Sequence, residues 1–162
     1  VARKLASVPF IVCPSPAYLE RAGIPRAPED LQQHACLGFR YPLDGRLLRW
    51  GFIRRGQHSY ATLNFNAISD DIDALTQMAV HGAGIARLAE FVAAPYIESG
   101  QLIALLKHSH ESSESCAEPL DIYACVQDRS AMTLKVKAFI DYLSEHLEKR
   151  WPKDNIVTVH DN

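Results

Sequence analysis

Three adjacent side chains with oxygen atoms, Ser69, Asp70 and Asp71, are the first candidates for binding chemistry. They follow residues 63–67, where apolar and polar side chains alternate as in a half-buried strand, and they precede a helical pattern. Ser69 and Asp70 can accept hydrogen bonds from the free N–H groups of that helix, and Asp73 completes a pattern close to a capping box. A polar ligand could use the same groups, so helix capping and ligand binding remain alternatives.

The elements around these residues predict a parallel sheet. After the helix come two glycines, Gly82 and Gly84, then a strand at residues 85–88, a helix at 89–99 and a strand at 101–106. Strands joined by single helices run parallel in one sheet. Such sheets bind small ligands beyond the carboxyl ends of their strands. We therefore expect a ligand crevice near residues 69–71 and 82–87.

Other motifs are weaker indications of chemistry. Residues 82–84 resemble part of a dinucleotide-binding loop, but they follow a helix and Arg87 occupies the position of the third glycine. We interpret them as a helix stop. His108, His110 and Cys116 are metal-binding residue types without standard spacing, so no metal is expected. The sequence contains no recognisable hydrolase, redox or metalloprotease motif, so we expect neither an enzyme nor a cofactor.

Basic and aromatic residues alternate between positions 40 and 55, which is one pattern of nucleic-acid binding. The residues are Arg40, Tyr41, Arg46, Arg49, Trp50, Phe52, Arg54 and Arg55. On a hairpin, however, the charges would point to both sides, and the core needs the aromatic rings. We therefore expect solvated hairpin edges here.

The composition limits the class of protein. The chain has 162 residues, of which 48% are hydrophobic and 22% charged, as in soluble globular proteins. A net charge of −2 gives no general attraction to nucleic acid or to an anionic membrane. No apolar run is long enough for a membrane span, and residues 1–13 lack the apolar region of a signal peptide.

The four cysteines have no paired spacing, which predicts reduced thiols and a cytoplasmic location. Cys13 and Cys125 lie in apolar runs and are expected to be buried.

Two apolar strands, at residues 8–13 and 120–126, bracket the middle of the chain. A chain that leaves one sheet, builds a separate lobe and returns forms two lobes joined by two crossing strands, with a ligand cleft between them. The main local predictions are helices at residues 16–22 and 133–150 and a hairpin at 46–66. Val136, Phe139, Ile140, Leu143 and Leu147 form the predicted apolar stripe of the last helix.

A series of short motifs resembles the effector-binding region of LysR-type transcriptional regulators. Their order and spacing follow that family over about residues 1–150. The motifs are VARKLA at 1–6, PSPAYL at 14–19, RAPEDL at 26–31, CLGFRYP at 36–42, RWGF at 49–52, DDIDAL at 70–75, GAGIA at 82–86, SGQL at 99–102 and KVKAFIDYL at 135–143.

The resemblance implies an α/β fold like that of type II periplasmic binding proteins, with two α/β lobes joined by two crossing strands. It also implies a bacterial, non-enzymatic regulator that forms homodimers or homotetramers. Relative to the family pattern, this sequence lacks the winged helix-turn-helix, the linker helix and the first part of lobe I. The division that the resemblance implies is a partial lobe I (1–15 and 119–150), a lobe II (16–118) and a tail (151–162). We therefore expect a fragment, in which DNA would be bound only by an N-terminal domain absent from this chain. A solute-binding protein of the same fold, serving transport, is the alternative.

The resemblance also implies a small-molecule effector, often an organic acid, between the lobes. Arg40 could hold both oxygens of a carboxylate with its guanidinium, or it could simply be a surface arginine covering Tyr41 or Trp50. The expected effector-binding residues are Phe39, Arg40, Tyr41, Ser69, Asp70, Gly84 and Ile85.

Overall fold

The computed structural model describes residues 2–106, 115–128 and 130–151. The chain divides into two compact units. Unit 1 comprises Val1–Pro9 and Pro119–Asn162, and unit 2 comprises Phe10–Glu118. The predicted lobes placed the first boundary at residue 15, and their identification with lobes of the family remains a prediction.

Unit 1 is a two-stranded antiparallel sheet covered by one helix. Strand β1 (Ala2–Val8) pairs with strand β9 (Leu120–Cys125), and helix α4 (Leu134–Arg150) contacts β1. The strand predicted at residues 8–13 is confirmed only over Phe10–Cys13, because Pro9 separates that strand of unit 2 from β1, which ends at Val8. Proline has no N–H to donate, so the ladder stops there.

The last helix is capped by Thr133, whose side chain accepts from the N–H of Val136, so the predicted start at residue 133 is confirmed to within one residue. Its apolar stripe is only partly used. Ile140 is buried and its neighbours along the stripe are half-buried, but Phe139 is 62% exposed. Cys125 is also exposed, so the expectation that it is buried is wrong.

Unit 2 contains a four-stranded sheet built from β2 Phe10–Cys13, β3 Ala35–Phe39, β6 Asn64–Ser69 and β7 Ile85–Ala89. The strand order is β2-β7-β3-β6. The central strands β7 and β3 and the edge strand β6 are parallel, whereas β2 runs antiparallel to β7. The helices are α1 Pro16–Ala22, a 3-10 helix at Pro28–Gln33, α2 Ile72–Val80 and α3 Glu90–Glu98.

A smaller sheet of the same unit consists of β4 Gly51–Arg54, β5 Gln57–Tyr60 and β8 Cys116–Ala117. Its strand order is β5-β4-β8. The predicted hairpin is therefore shorter than residues 46–66, because residue 64 already belongs to β6 of the larger sheet. Trp50 and Phe52 are fully buried, which agrees with the expectation that the core needs these aromatic rings.

Two apolar clusters fill the core of unit 2. One includes Leu75 and Ala79 of α2 and Leu88 of β7, and the other includes Trp50 and Phe52. The strand predicted at residues 101–106 is wrong, because only Leu105 forms a bridge, with Val12. Within the described ranges, no helix is both long and apolar enough to span a bilayer.

Candidate ligand-binding site

Five of the seven expected effector-binding residues lie at one edge of the larger sheet. Phe39 and Ser69 are register partners at the last positions of β3 and β6. The N–H of Arg40 donates to the carbonyl oxygen of Ser69 over 2.9 Å. Because the two strands are parallel, Tyr41 and Asp70 follow them at the same carboxyl edge. This edge is the position at which parallel sheets present ligand-binding groups.

The cap of α2 is built from Ser69 and Asp71 rather than from Asp70. One carboxylate oxygen of Asp71 accepts from the N–H groups of Asp73 and Ala74, at 2.9 and 3.2 Å. Ser69 Oγ accepts from the N–H of Asp71 over 3.1 Å. The predicted capping box on Asp70 is therefore wrong by one residue. The Ser69 hydroxyl keeps its hydrogen for donation to another acceptor.

Aromatic side chains and a tight loop follow β3 at this edge. The rings of Phe39 and Tyr41 meet edge to face with their centroids 5.6 Å apart, and Tyr41 is 38% exposed. The loop is closed by hydrogen bonds of 2.9 Å from Tyr41 N–H to the Arg46 carbonyl oxygen and from Gly45 N–H to the Tyr41 carbonyl oxygen. A hollow of about 240 Å³ opens beside it, lined by Tyr41, Pro42, Leu43, Asp44 and Arg46.

Arg40 is exposed at the end of β3. Among the described residues it forms no ion pair, whereas Arg46 pairs with Asp44 over 2.6 Å and Arg54 pairs with Glu29 over 3.1 Å. Arg49 lies over the ring of Tyr60, 3.7 Å from its centroid. Three of the five arginines between positions 40 and 55 are thus engaged with neighbours within unit 2, whereas the side chain of Arg40 pairs with none of the described residues.

Gly84 and Ile85 are not brought together with the other five residues. Cys36 at the start of β3 is level with Ile85, so Gly84 and Ile85 lie at the amino end of the sheet. Ile85 is fully buried, and a Cβ on Gly84 would meet the Ala35 carbonyl oxygen at 2.6 Å. The expectation of one crevice formed by residues 69–71 and 82–87 is therefore corrected. Gly84 allows close backbone approach, and Ile85 fills the core.

Arg87 is a charged residue whose surroundings sequence reasoning missed. It is only 7% exposed, and burial lowers the pKa of its guanidinium to about 10, whereas Glu118, Tyr41 and Tyr60 act in the opposite direction. Its Nε is buried without a hydrogen-bond partner among the described residues. The available signal was an arginine inside the otherwise apolar strand IARLA. A buried charge of this kind needs specific contacts.

The described residues contain no group of three or more metal-ligand side chains. His108 and His110 lie outside the described residues. Burial raises the pKa of the Cys36 thiol to about 12, and it also raises the pKa of Cys116. These thiols are therefore protonated near neutral pH and poor nucleophiles.

Comparisons with known proteins identify the family. The LysR substrate binding domain model matches residues 1–148. The chain is 34% identical over 147 residues to the HTH-type transcriptional regulator CrgA of Neisseria meningitidis, covering 90% of this chain and 46% of the relative. It is 33% identical over 136 residues to an uncharacterised HTH-type regulator of Escherichia coli, YcaN, covering 84% of this chain and 42% of the relative. The chain thus spans less than half the length of these relatives.

Solved structures agree with the sequence matches. The CrgA regulatory domain of N. meningitidis superimposes with a TM-score of 0.60 at 28% identity, covering 91% of this chain and 68% of that chain. The regulatory domain of a C227S variant of AphB from Vibrio vulnificus gives a TM-score of 0.65 at 28% identity, covering 88% and 68%. These matches confirm the α/β fold of the type II periplasmic-binding-protein class. The chain belongs to the LysR substrate-binding domain family.

Proposed function

We propose that this chain is the ligand-sensing domain of a LysR-type transcription regulator and that unit 2 binds a small organic anion at the carboxyl edge of its larger sheet. Membership of the family supports the general role. The observation that supports the site is the meeting of Phe39, Arg40 and Ser69 at the ends of two paired parallel strands. A transport role in a solute-binding protein is less favoured, because the curated relatives are transcriptional regulators.

The chemistry of this edge suits a carboxylate. Arg40 offers a planar fork of donors that matches both oxygens of a carboxylate. The Ser69 hydroxyl offers one more donor, and the ring of Tyr41 offers an apolar surface. Asp70 and Asp71 oppose binding of a multiply charged anion, because they already offset the positive end of the α2 dipole. The proposed ligand is therefore a monocarboxylate with an apolar body. Gly84 and Ile85 are not part of the proposed site.

Ligand binding would act on transcription by changing the populations of two or more structural arrangements of the protein. An effector shifts an equilibrium between arrangements only as far as its affinities for them differ. In the intact regulator, such a shift would alter a dimer or tetramer and so reposition DNA-binding domains. Comparing the oligomeric state and small-angle scattering of the protein with and without a bound effector tests this step. Identical scattering and mass in both states would contradict it.

The binding site itself is tested by thermal unfolding with a panel of aromatic and aliphatic monocarboxylates, starting with benzoate. A ligand at 100 times its dissociation constant stabilises the folded protein by ~2.7 kcal/mol if it binds only that state. Benzamide, which lacks the charge, should give no shift. Arg40→Ala and Ser69→Ala should weaken the shift, whereas Arg55→Ala, which changes an exposed arginine on the hairpin turn, should keep it. A shift of equal size in Arg40→Ala and Arg55→Ala would contradict the proposed site.

A further inference from the structure

Arg87 contacts both points at which the chain crosses between the two units. Unit 2 begins at Phe10 and ends at Glu118. The Arg87 guanidinium lies over the Phe10 ring, with Cζ 4.7 Å from the ring centroid. Its Nη2 donates to the carbonyl oxygen of Glu118. One buried side chain therefore holds the first and the last residue of unit 2.

Further hydrogen bonds fix this arrangement. Arg87 Nη1 donates to the carbonyl oxygen of Arg49 over 3.1 Å. The N–H of Glu118 donates to the Gly51 carbonyl oxygen over 2.8 Å. Arg87 itself lies in β7, between Ala86 and Leu88, which are both buried. Arg87 thus lies in a central strand of the sheet, and its contacts connect the first and last residues of unit 2 with the beginning of β4.

Just outside unit 2, a proline is adjacent in sequence to each of the two residues that Arg87 contacts, Phe10 and Glu118. Pro9 precedes Phe10, and Pro119 follows Glu118. Beyond these prolines, β1 and β9 are paired as far as Val8 and Leu120. Because proline cannot donate to a ladder, backbone pairing is interrupted at both crossings. The crossings are therefore weakly paired between two well-paired regions.

We propose that Arg87 is a positioning residue that clamps both crossings to unit 2 and confines movement between the units to residues 8–9 and 119–120. Phe10 and Glu118, the first and last residues of unit 2, then move together with β7 instead of independently. Since β7 pairs with β3, the strand that ends at Phe39, Arg87 and the proposed ligand site belong to the same sheet. The clamp itself does not depend on the proposed ligand, so either proposal can fail alone.

Amide hydrogen exchange of the full chain tests the clamp. Arg87→Met keeps much of the side-chain volume and removes the donors. We expect it to speed exchange about tenfold or more at residues 10–12 and 117–118, because local opening then needs no broken guanidinium contacts. Exchange in α2 should change much less.

Arg21→Met is the matched control. Arg21 also donates to a backbone carbonyl, that of Gly82 over 2.8 Å, and lies over a ring, that of Tyr18, 5.6 Å from the centroid. It should leave exchange at both crossings unchanged. A uniform increase over unit 2 in Arg87→Met would overturn the proposal, because a general loss of stability would then explain the change.

A distance measurement separates clamping from stability. Cys125 is exposed in unit 1 and provides one labelling position, and Gln57→Cys provides the other on the exposed hairpin of unit 2. The distribution of label distances should broaden in Arg87→Met and not in Arg21→Met. If Arg87→Met does not fold, Arg87→Lys, which keeps the charge but not the two-pronged donation, should broaden it. An unchanged distribution in the folded variant would overturn the proposal.

Discussion

The N–H of Arg40 donates to the carbonyl oxygen of Ser69 over 2.9 Å, which joins the carboxyl ends of β3 and β6. These two residues are far apart in sequence. Their contact places the strongest anion donor of the proposed site beside the cap of α2. The ligand-binding chemistry proposed for this domain depends on that one pairing of distant strands.

Removal of the α2 cap should destabilise the protein. Asp71→Ala leaves two N–H groups, those of Asp73 and Ala74, without their side-chain acceptor. Loss of an N-cap costs about 1 kcal/mol. We therefore expect the free energy of unfolding in urea to fall by about that amount. Asp70→Ala is the control and should change it by less than half as much. Equal effects of the two variants would show that Asp71 is not the cap.

Gly84→Ala should be destabilising for a steric reason. The added Cβ would meet the Ala35 carbonyl oxygen at 2.6 Å, and backbone cannot move aside as a side chain can. Overpacking of this kind costs about 1–3 kcal/mol in unfolding experiments. Gly56→Ala is the comparison variant for backbone strain alone. Gly56 has a φ of +73°, which strains an alanine, but a Cβ there would meet nothing within 4 Å. A wild-type midpoint for Gly84→Ala would contradict the close approach.

Thiol labelling should distinguish one cysteine from the other three. Cys13, Cys36 and Cys116 are buried, whereas Cys125 is exposed. In the native protein at neutral pH, a disulfide reagent should label one thiol rapidly, and in denaturant it should label all four. Cys125→Ser should abolish the rapid phase. Rapid labelling that persists in this variant would mean that another thiol is accessible in the folded state.

The stability of unit 1 should depend on pH through Asp121. Burial raises the pKa of this carboxyl, but hydrogen bonds from Ser7 and Lys4 and the charge of Lys4 outweigh burial, so its pKa is lowered. A lowered pKa contributes stability above the unfolded value, about 4, and this contribution is lost as the pH falls below it. Urea unfolding of Asp121→Asn should therefore show a larger deficit at pH 6 than at pH 3.

Two comparisons control that experiment. Asp70→Asn changes a surface carboxylate outside unit 1 and should not reproduce the pH-dependent deficit. Lys4→Met removes the ammonium group that lies 2.9 Å from Asp121 Oδ1 and should reproduce part of it. A deficit of Asp121→Asn that is constant between pH 3 and pH 6 would contradict the role of the ionised carboxylate.

Much of the local structure was predictable from sequence because neighbouring residues determine it. Ser15 and Pro16 start α1 and Gly23 ends it with a φ of +84°, as their types predict. Burial of Trp50 and Phe52 follows from the need of the core for aromatic rings. Five of the seven expected site residues share an edge because β3 and β6 pair in parallel, which the structure shows and the local pattern of the sequence did not predict.

The family, the order of the elements and most of their bounds were thus determined by the sequence alone. The tertiary structure decided which residues face one another, because strand register depends on contacts between distant parts of the chain. Register put Gly84 and Ile85 at the amino end of the sheet, opposite the edge that bears Arg40. It also brought Phe10 and Glu118 to the buried guanidinium of Arg87, although these residues are far apart in sequence. No local sequence pattern predicts these contacts, because the groups that form them become neighbours only when the folded chain buries them together.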